Sequence, residues 1–129
     1  MENKKFIPLE DLEVYKLAIE LSDLSWEIYS GMDWQDKKIM GDQFIRAIDS
    51  VGANITEGYF RFHYLDKIKF YYISRASLAE GIKHWLELML KRSKVEQSKY
   101  LKSKEIANSI SVKLNNFISS TYKCKKNDK

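Results

Sequence analysis

Residues 43–58 read QFIRAIDSVGANITEG, and residues 70–80 read FYYISRASLAE. Both segments have helical periodicity, yet each carries small or uncharged polar residues where an amphipathic helix usually has bulk or charge. Residues three or four positions apart share one helical face. On the first segment these residues are Ser50, Ala53, Asn54, Glu57 and Gly58. We expect the two segments to pack closely as helices around a few polar groups.

The composition is that of a single globular domain. The chain has 129 residues, of which 44% are hydrophobic and 31% are charged, so it is long enough to bury a core without disulfides or metals. No run approaches the roughly 18 apolar residues of a membrane span, and the first residues lack the apolar core of a signal peptide. The only cysteine, Cys124, lies in a polar tail. We expect a cytoplasmic protein.

Helical periodicity covers most of the chain, and no segment resembles a strand. The predicted helices span residues 9–29, 36–59, 65–91 and 97–122. Short connections between helices of similar length favour an all-α, antiparallel, up-down-up-down four-helix bundle. The predicted domain is therefore residues 9–122, with an N-terminal extension at 1–8 and a basic disordered tail at 123–129. The first and third helices are apolar on two sides, which indicates a homo-oligomer.

The charge is distributed unevenly along the chain. Residues 1–62 hold 7 Lys or Arg against 12 Asp or Glu, whereas residues 63–129 hold 15 against 6. A positive half of this kind attracts phosphate backbones by counterion release. It can equally pair with the acidic half of a neighbouring copy. Both interpretations stay open from charge alone.

The two quoted segments resemble a known family. The pattern QxxRAxxSxxANIxEG at residues 43–58, followed by SLAE at 77–80, is similar to the S23 or 23S ribosomal RNA intervening-sequence protein family, which is related to the accessory protein of diversity-generating retroelements. The resemblance covers roughly residues 6–121. It implies a homopentameric barrel of helical bundles with a positively charged surface that binds nucleic acid, and it implies no enzyme. Gly52, Thr56 and Ala76 depart from the family pattern.

A polar cluster is the first candidate site. Its predicted members lie on the small-residue faces of the two quoted segments: Arg46, Ser50, Asn54, Glu57, Ser77 and Glu80. Inward-facing polar groups must be hydrogen-bonded, so we interpret the cluster as a structural network that sets helix register. A subunit or ligand contact and a catalytic carboxylate pair are the alternatives.

Catalytic, metal and cofactor sites have no positive support in the sequence. Glu80 and His84 are four residues apart, which differs from the Glu-x-x-His pairs of di-iron bundles. Phosphate-binding glycine loops and Ser-His-Asp arrangements are not recognisable. We expect no catalytic residue, no metal, no cofactor and no small-molecule substrate.

The basic residues near two helix connections are the second candidate site. They are Arg61, His63, Lys67, Lys69, Lys91, Arg92, Lys94, Lys99, Lys102 and Lys104. Beside Arg61 the chain has three aromatic residues, Phe60, Phe62 and Tyr64. They either stack on unpaired bases or fasten the helix connection to the core, and we expect them to fasten the connection.

The leading hypothesis is therefore a non-enzymatic homo-oligomeric bundle that binds RNA or DNA with low sequence specificity. The alternative is a protein-interaction scaffold whose charge asymmetry serves oligomer assembly, without a nucleic-acid role.

Overall fold

Four helices make up the part of the protein that the structure describes. The computed structural model describes residues 7–127, and this part of the chain contains no strand. A 3-10 turn at Leu9–Asp11 precedes helix α1, Glu13–Ser30. Helix α2 spans residues 34–59 and helix α3 spans residues 64–91, while α4 is Gln97–Asn127. The architecture is consistent with a four-helix bundle.

Helices α2 and α3 each include a π-helical stretch. In α2, Lys37–Gly41 is π-helical between Trp34–Asp36 and Asp42–Tyr59. In α3, Glu80–Leu86 lies between Tyr64–Ala79 and Glu87–Lys91. A π-helical stretch changes the register of the side chains that follow it, so a simple 3.6-residue period does not predict which face they occupy.

Local sequence accounts for two of the helix ends. The Asp33 carboxylate caps α2 by accepting a hydrogen bond from the Asp36 amide at 2.9 Å. At the end of α3, Ser93 has a φ of 58°, and the amide of Lys94 donates to the carbonyl of Met89 at 2.8 Å. The amide of Ser93 donates to Leu90, which completes a Schellman motif with serine where glycine is usual.

The core receives large side chains from all four helices. Those fully buried include Leu21, Phe44, Val51, Ile55, Leu86, Met89, Ile110 and Leu114. Tyr71 is also buried, and burial raises the pKa of its phenol. The close packing expected of the two quoted segments is present: a Cβ added at Gly58 would lie 2.6 Å from the Tyr71 ring, and one at Gly81 would lie 2.5 Å from the end of Ile48.

Two ends of the predicted domain differ from the structure. Residues 9–11 form a separate turn before α1, and α4 continues to Asn127 rather than ending at residue 122. The extension has a physical reason, since residues 97–127 contain neither glycine nor proline to end the helix. Residues 123–127 of the predicted tail are therefore helical. Its residues 128–129, and residues 1–6 of the predicted N-terminal extension, lie outside the described residues.

Within residues 7–127, every helix is too short or too polar to cross a membrane.

Candidate nucleic-acid interface

Three of the six predicted cluster residues meet between α2 and α3. The hydroxyl oxygens of Ser50 and Ser77 lie 2.9 Å apart. The Asn54 amide donates to the Ser50 carbonyl at 2.9 Å and to the Ser50 hydroxyl at 2.8 Å. All three side chains are half-buried. The Ser50–Ser77 bond joins α2 to α3, and the Asn54 bonds lie within α2.

The other three predicted members lie elsewhere. Arg46, Glu57 and Glu80 are exposed. The Arg61 guanidinium donates to Glu57 at 2.6 Å, and the Trp85 indole donates to Glu80 at 3.0 Å. The predicted six-residue network is therefore reduced to three members, because charged groups at the edge of the α2–α3 contact keep their hydration instead of entering it.

Ser74 is a buried polar contact that the sequence prediction missed. Its hydroxyl donates to the carbonyl of Val51 at 2.8 Å, again between α3 and α2. The sequence spacing could have indicated that Ser74 is buried, since it stands three positions after the buried Tyr71 and four before the buried Leu78.

Most of the predicted cations around the third connection already have acidic partners. Lys94 lies 3.0 Å from Asp36 on α2, and Lys99 lies 3.9 Å from Glu27 on α1. Lys102 lies 3.8 Å from Glu105 in the next turn of α4. Lys91 and Arg92 are exposed and have no ion pair among the described residues.

Lys104 has the shortest of the ion pairs between helices. Its ammonium lies 2.6 Å from Glu87 on α3, and the Tyr100 hydroxyl donates to the same carboxylate oxygen at 2.7 Å. These two hydrogen bonds lower the pKa of Glu87, and the carboxylate in turn raises the pKa of Lys104. This pair lies within the basic half of the chain, whereas Lys94–Asp36 and Lys99–Glu27 join the basic half to the acidic half.

The cations at the second connection lie beside aromatic rings, of which Phe62 is exposed and Phe70 is half-buried. The Arg61 guanidinium lies 4.7 Å from the centre of the Phe70 ring. Lys67 donates to the Tyr59 carbonyl at 2.7 Å, and burial lowers its pKa. Lys69 and His63 are exposed, and the His63 ring meets the edge of Phe62 at 5.0 Å between centroids.

Phe60 and Phe62 do not fasten this connection to the core. Phe60 is 62% exposed and Phe62 is 87% exposed, whereas Tyr64 is half-buried. The reason is that other rings already close this end of the core: Phe117 packs on Tyr71, with ring centroids 4.8 Å apart, and on Tyr59. The two exposed phenylalanines are left facing solvent beside a cationic segment.

A groove between α3 and α4 collects cations that the sequence prediction did not group. Arg75, Lys83 and Lys104 line its sides, and its volume is about 180 Å³. Leu78, Ile82 and Ala107 supply the apolar lining, while Asn108 and Ser111 add polar groups. The sequence could have indicated that Arg75 and Lys83 lie together, since they are eight residues apart on one helix with Ala79 midway. We call this the α3–α4 groove.

Metal-binding geometry is absent from the described part of the chain. Within residues 7–127, no three His, Cys, Asp or Glu side chains come together in a way that could hold a metal ion.

Comparison with known proteins gives a family and a fold. Residues 10–116 match the family described as the 23S rRNA-intervening sequence protein. Among solved structures, the chain is similar to a protein of unknown function from the S23 ribosomal protein family of Bacteroides thetaiotaomicron VPI-5482. The two share 23% identity, with 82% of this chain and 95% of that chain covered, at a TM-score of 0.75. At this identity the likeness shows the fold alone. No curated protein matches the chain.

Proposed function

Because the chain belongs to the 23S rRNA-intervening sequence protein family, we propose that it is a non-enzymatic, homo-oligomeric bundle that binds RNA or DNA in the cytoplasm. Binding uses a basic surface and has low sequence specificity. The family membership confirms the resemblance carried by residues 43–58 and 77–80. The nucleic-acid role, the oligomer and the lack of catalysis are our proposals.

The α3–α4 groove is the observation that carries the nucleic-acid proposal. Arg75 and Lys83 are exposed, and eight residues of helix place them about 12 Å apart along α3. Lys104 faces them from α4, and within residues 7–127 its partner Glu87 is the one acid that forms an ion pair with any of the three. The excess positive charge suits a phosphate backbone, whose binding releases counterions and requires no particular base sequence.

The antiparallel order of the helices is part of the proposal and is supported by contacts between them. On α1 and α2, Ser22 bonds Asp49 while the later Tyr29 bonds the earlier Asp42. On α3 and α4, Arg75 bonds Asn115, and the earlier Tyr72 meets the later Tyr122. In both pairs one helix runs up as the other runs down.

The exposed apolar side of α1 supports the homo-oligomer. Ile19 is 40% exposed and Trp26 is 57% exposed, and both lie on one side of α1, outside its stripe of buried residues. Covering such side chains stabilises association by the hydrophobic effect. In a pentamer, which the family resemblance implies, five copies of the groove would multiply weak phosphate contacts.

The decisive experiment is a binding titration with a salt series. We expect affinity for structured RNA or duplex DNA to fall steeply between about 50 and 200 mM salt. The double variant Arg75→Glu/Lys83→Glu should bind about tenfold more weakly or worse, because two attractive charges become repulsive. The matched control Lys16→Glu/Lys38→Glu reverses two exposed lysines of α1 and α2 and should bind much as the parent does. Absence of binding at low salt contradicts the proposal.

The scaffold alternative keeps one observation in its favour, which is the exposed apolar side of α1. If charge asymmetry drives the assembly of this scaffold, its cations must be available to a second subunit. Lys99 and Lys104 instead contact Glu27 and Glu87 of their own chain. If charge reversal at Lys99, Lys102 and Lys104 dissociates the oligomer while nucleic-acid binding is absent, the scaffold is the better description.

A further inference from the structure

The outer face of α3 joins the α3–α4 groove to the exposed phenylalanines. Positions 65, 69, 72, 76 and 79 alternate spacings of four and three residues in the α-helical part of α3, so they follow one helical face. Position 83 lies in the π-helical stretch, and its lysine lines the same groove as Ala79. The residues at all six positions are exposed. The face is about 27 Å long. This face carries Lys69, Tyr72 and Lys83; Arg75 lies beside it against the Tyr72 ring, and Phe62 precedes it in the second connection. We define the α3 track by these five residues: Phe62, Lys69, Tyr72, Arg75 and Lys83.

The middle of the track is held in place by contacts with α4. The Arg75 guanidinium lies 4.7 Å from the centre of the Tyr72 ring and donates to Asn115 at 3.0 Å. The Tyr72 hydroxyl lies 3.4 Å from that of Tyr122. A ring and a planar cation held this way lose little conformational freedom when a ligand arrives, which favours binding.

The outer end of the track presents a nearly free ring. Phe62 is 87% exposed, and its contact with His63 is edge-on. Among the acids close in sequence to this end, Glu57 is paired with Arg61, and Asp66 lies in the first turn of α3.

The last turns of α4 add positive charge near the start of α3. The contact of Tyr122 with Tyr72 brings these turns alongside the first half of α3, and they carry the exposed Lys123.

We propose that the α3 track binds a single-stranded nucleic acid, with unpaired bases stacked on Phe62 and Tyr72 and the backbone held by Lys69, Arg75 and Lys83. This inference rests on the proposed function and names its ligand. Aromatic platforms set among cations are how proteins hold single strands without reading sequence. A duplex offers the same phosphates, but its bases are already stacked on each other and cannot use the rings.

The test compares a labelled, unstructured single strand of about 20 nucleotides with the matching duplex by fluorescence anisotropy. Phe62→Ala/Tyr72→Ala should weaken single-strand binding by at least tenfold. Phe62→Ala alone leaves the contact of Tyr72 with Arg75 intact, so it should weaken single-strand binding and leave duplex binding within about twofold. Tyr72→Phe keeps the ring and should keep single-strand affinity. Trp34→Ala is the matched control, since Trp34 is 70% exposed at the start of α2, away from the track.

Each other outcome overturns the inference in a distinguishable way. If the affinities for the single strand and the duplex fall equally, or if neither falls, bases do not stack on the track. Salt-dependent binding by the parent protein would then still support the proposed function. A change in oligomer size in the double variant, measured by light scattering, would identify the track as a contact between copies. If the parent protein binds neither ligand at low salt, the proposed function fails and the track fails with it.

Discussion

Two glycines of α2 have different surroundings, although the sequence places both inside one helix. A Cβ at Gly52 would make ordinary contacts, 3.7 Å from the Ala18 methyl and 3.8 Å from the Tyr15 ring. A Cβ at Gly58 would lie 2.6 Å from the buried Tyr71 ring and 3.0 Å from the carbonyl oxygen of Lys67. Gly58 therefore permits the close approach of α3, whereas the space beside Gly52 admits a methyl group.

We expect Gly52→Ala to raise the free energy of unfolding by about 1 kcal/mol, because alanine is the better helix former and the added methyl meets no clash. Gly58→Ala should lower it by about 1–3 kcal/mol, because a buried ring and a backbone carbonyl must move. Urea unfolding of the two variants and the parent measures both changes. Shifts of the same sign would contradict this account of α2.

At the scale of helices, α3 and α4 are joined by a surface ion pair whose strength depends on pH. Glu87 accepts from Lys104 and Tyr100, which lowers its pKa below the ordinary value of 4.5. A carboxylate with a lowered folded-state pKa contributes stability above its unfolded pKa and loses it as pH falls through the folded one. Lys104 has a raised pKa, so its own contribution is lost at the alkaline end, above 10.5.

Glu87→Gln should therefore reduce the loss of stability between about pH 5 and pH 3 by a few tenths of a kcal/mol, because the pair is partly exposed. Urea unfolding across this range measures the slope. Glu105→Gln is the control: its partner Lys102 is 3.8 Å away in the same helix, and its carboxylate is more exposed. An equal change of slope in both variants would show that the Glu87 contacts have no special role.

At the scale of the whole molecule, the ion pairs act within one chain, whereas the exposed apolar surface is available for assembly. Asp36, Glu27 and Glu87 take up cations of the basic half within one chain. The side of α1 that carries Ile19 and Trp26 remains uncovered in the single chain. Assembly driven by this surface would depend little on salt, unlike nucleic-acid binding.

Ile19→Glu/Trp26→Glu should shift the protein to a smaller species in light scattering, because two charges would have to be desolvated at the proposed contact between copies. Val112→Glu on α4 is the control, since Val112 is 61% exposed on a different helix. An unchanged mass for the α1 variant, with an oligomeric parent, would exclude this surface. A monomeric parent would contradict the proposed oligomer itself.

The sequence by itself determined the four helices, their approximate bounds and the family. The predicted third helix, 65–91, differs by one residue from the observed 64–91. The second, 36–59, differs by two at its start. Periodicity, caps and the scarcity of glycine and proline act over a few residues, so they can be recognised in the chain without knowing what packs against it.

Only the tertiary structure decided which side chains meet. It separated Glu57 and Glu80 from the Ser50–Ser77 contact, exposed Phe62, and brought Lys104 to Arg75 and Lys83. The physical reason is that helical spacing defines positions around one axis but not the rotation of that helix against its neighbours. That rotation follows from burying the apolar surface of all four helices together, with close approach where glycine allows it.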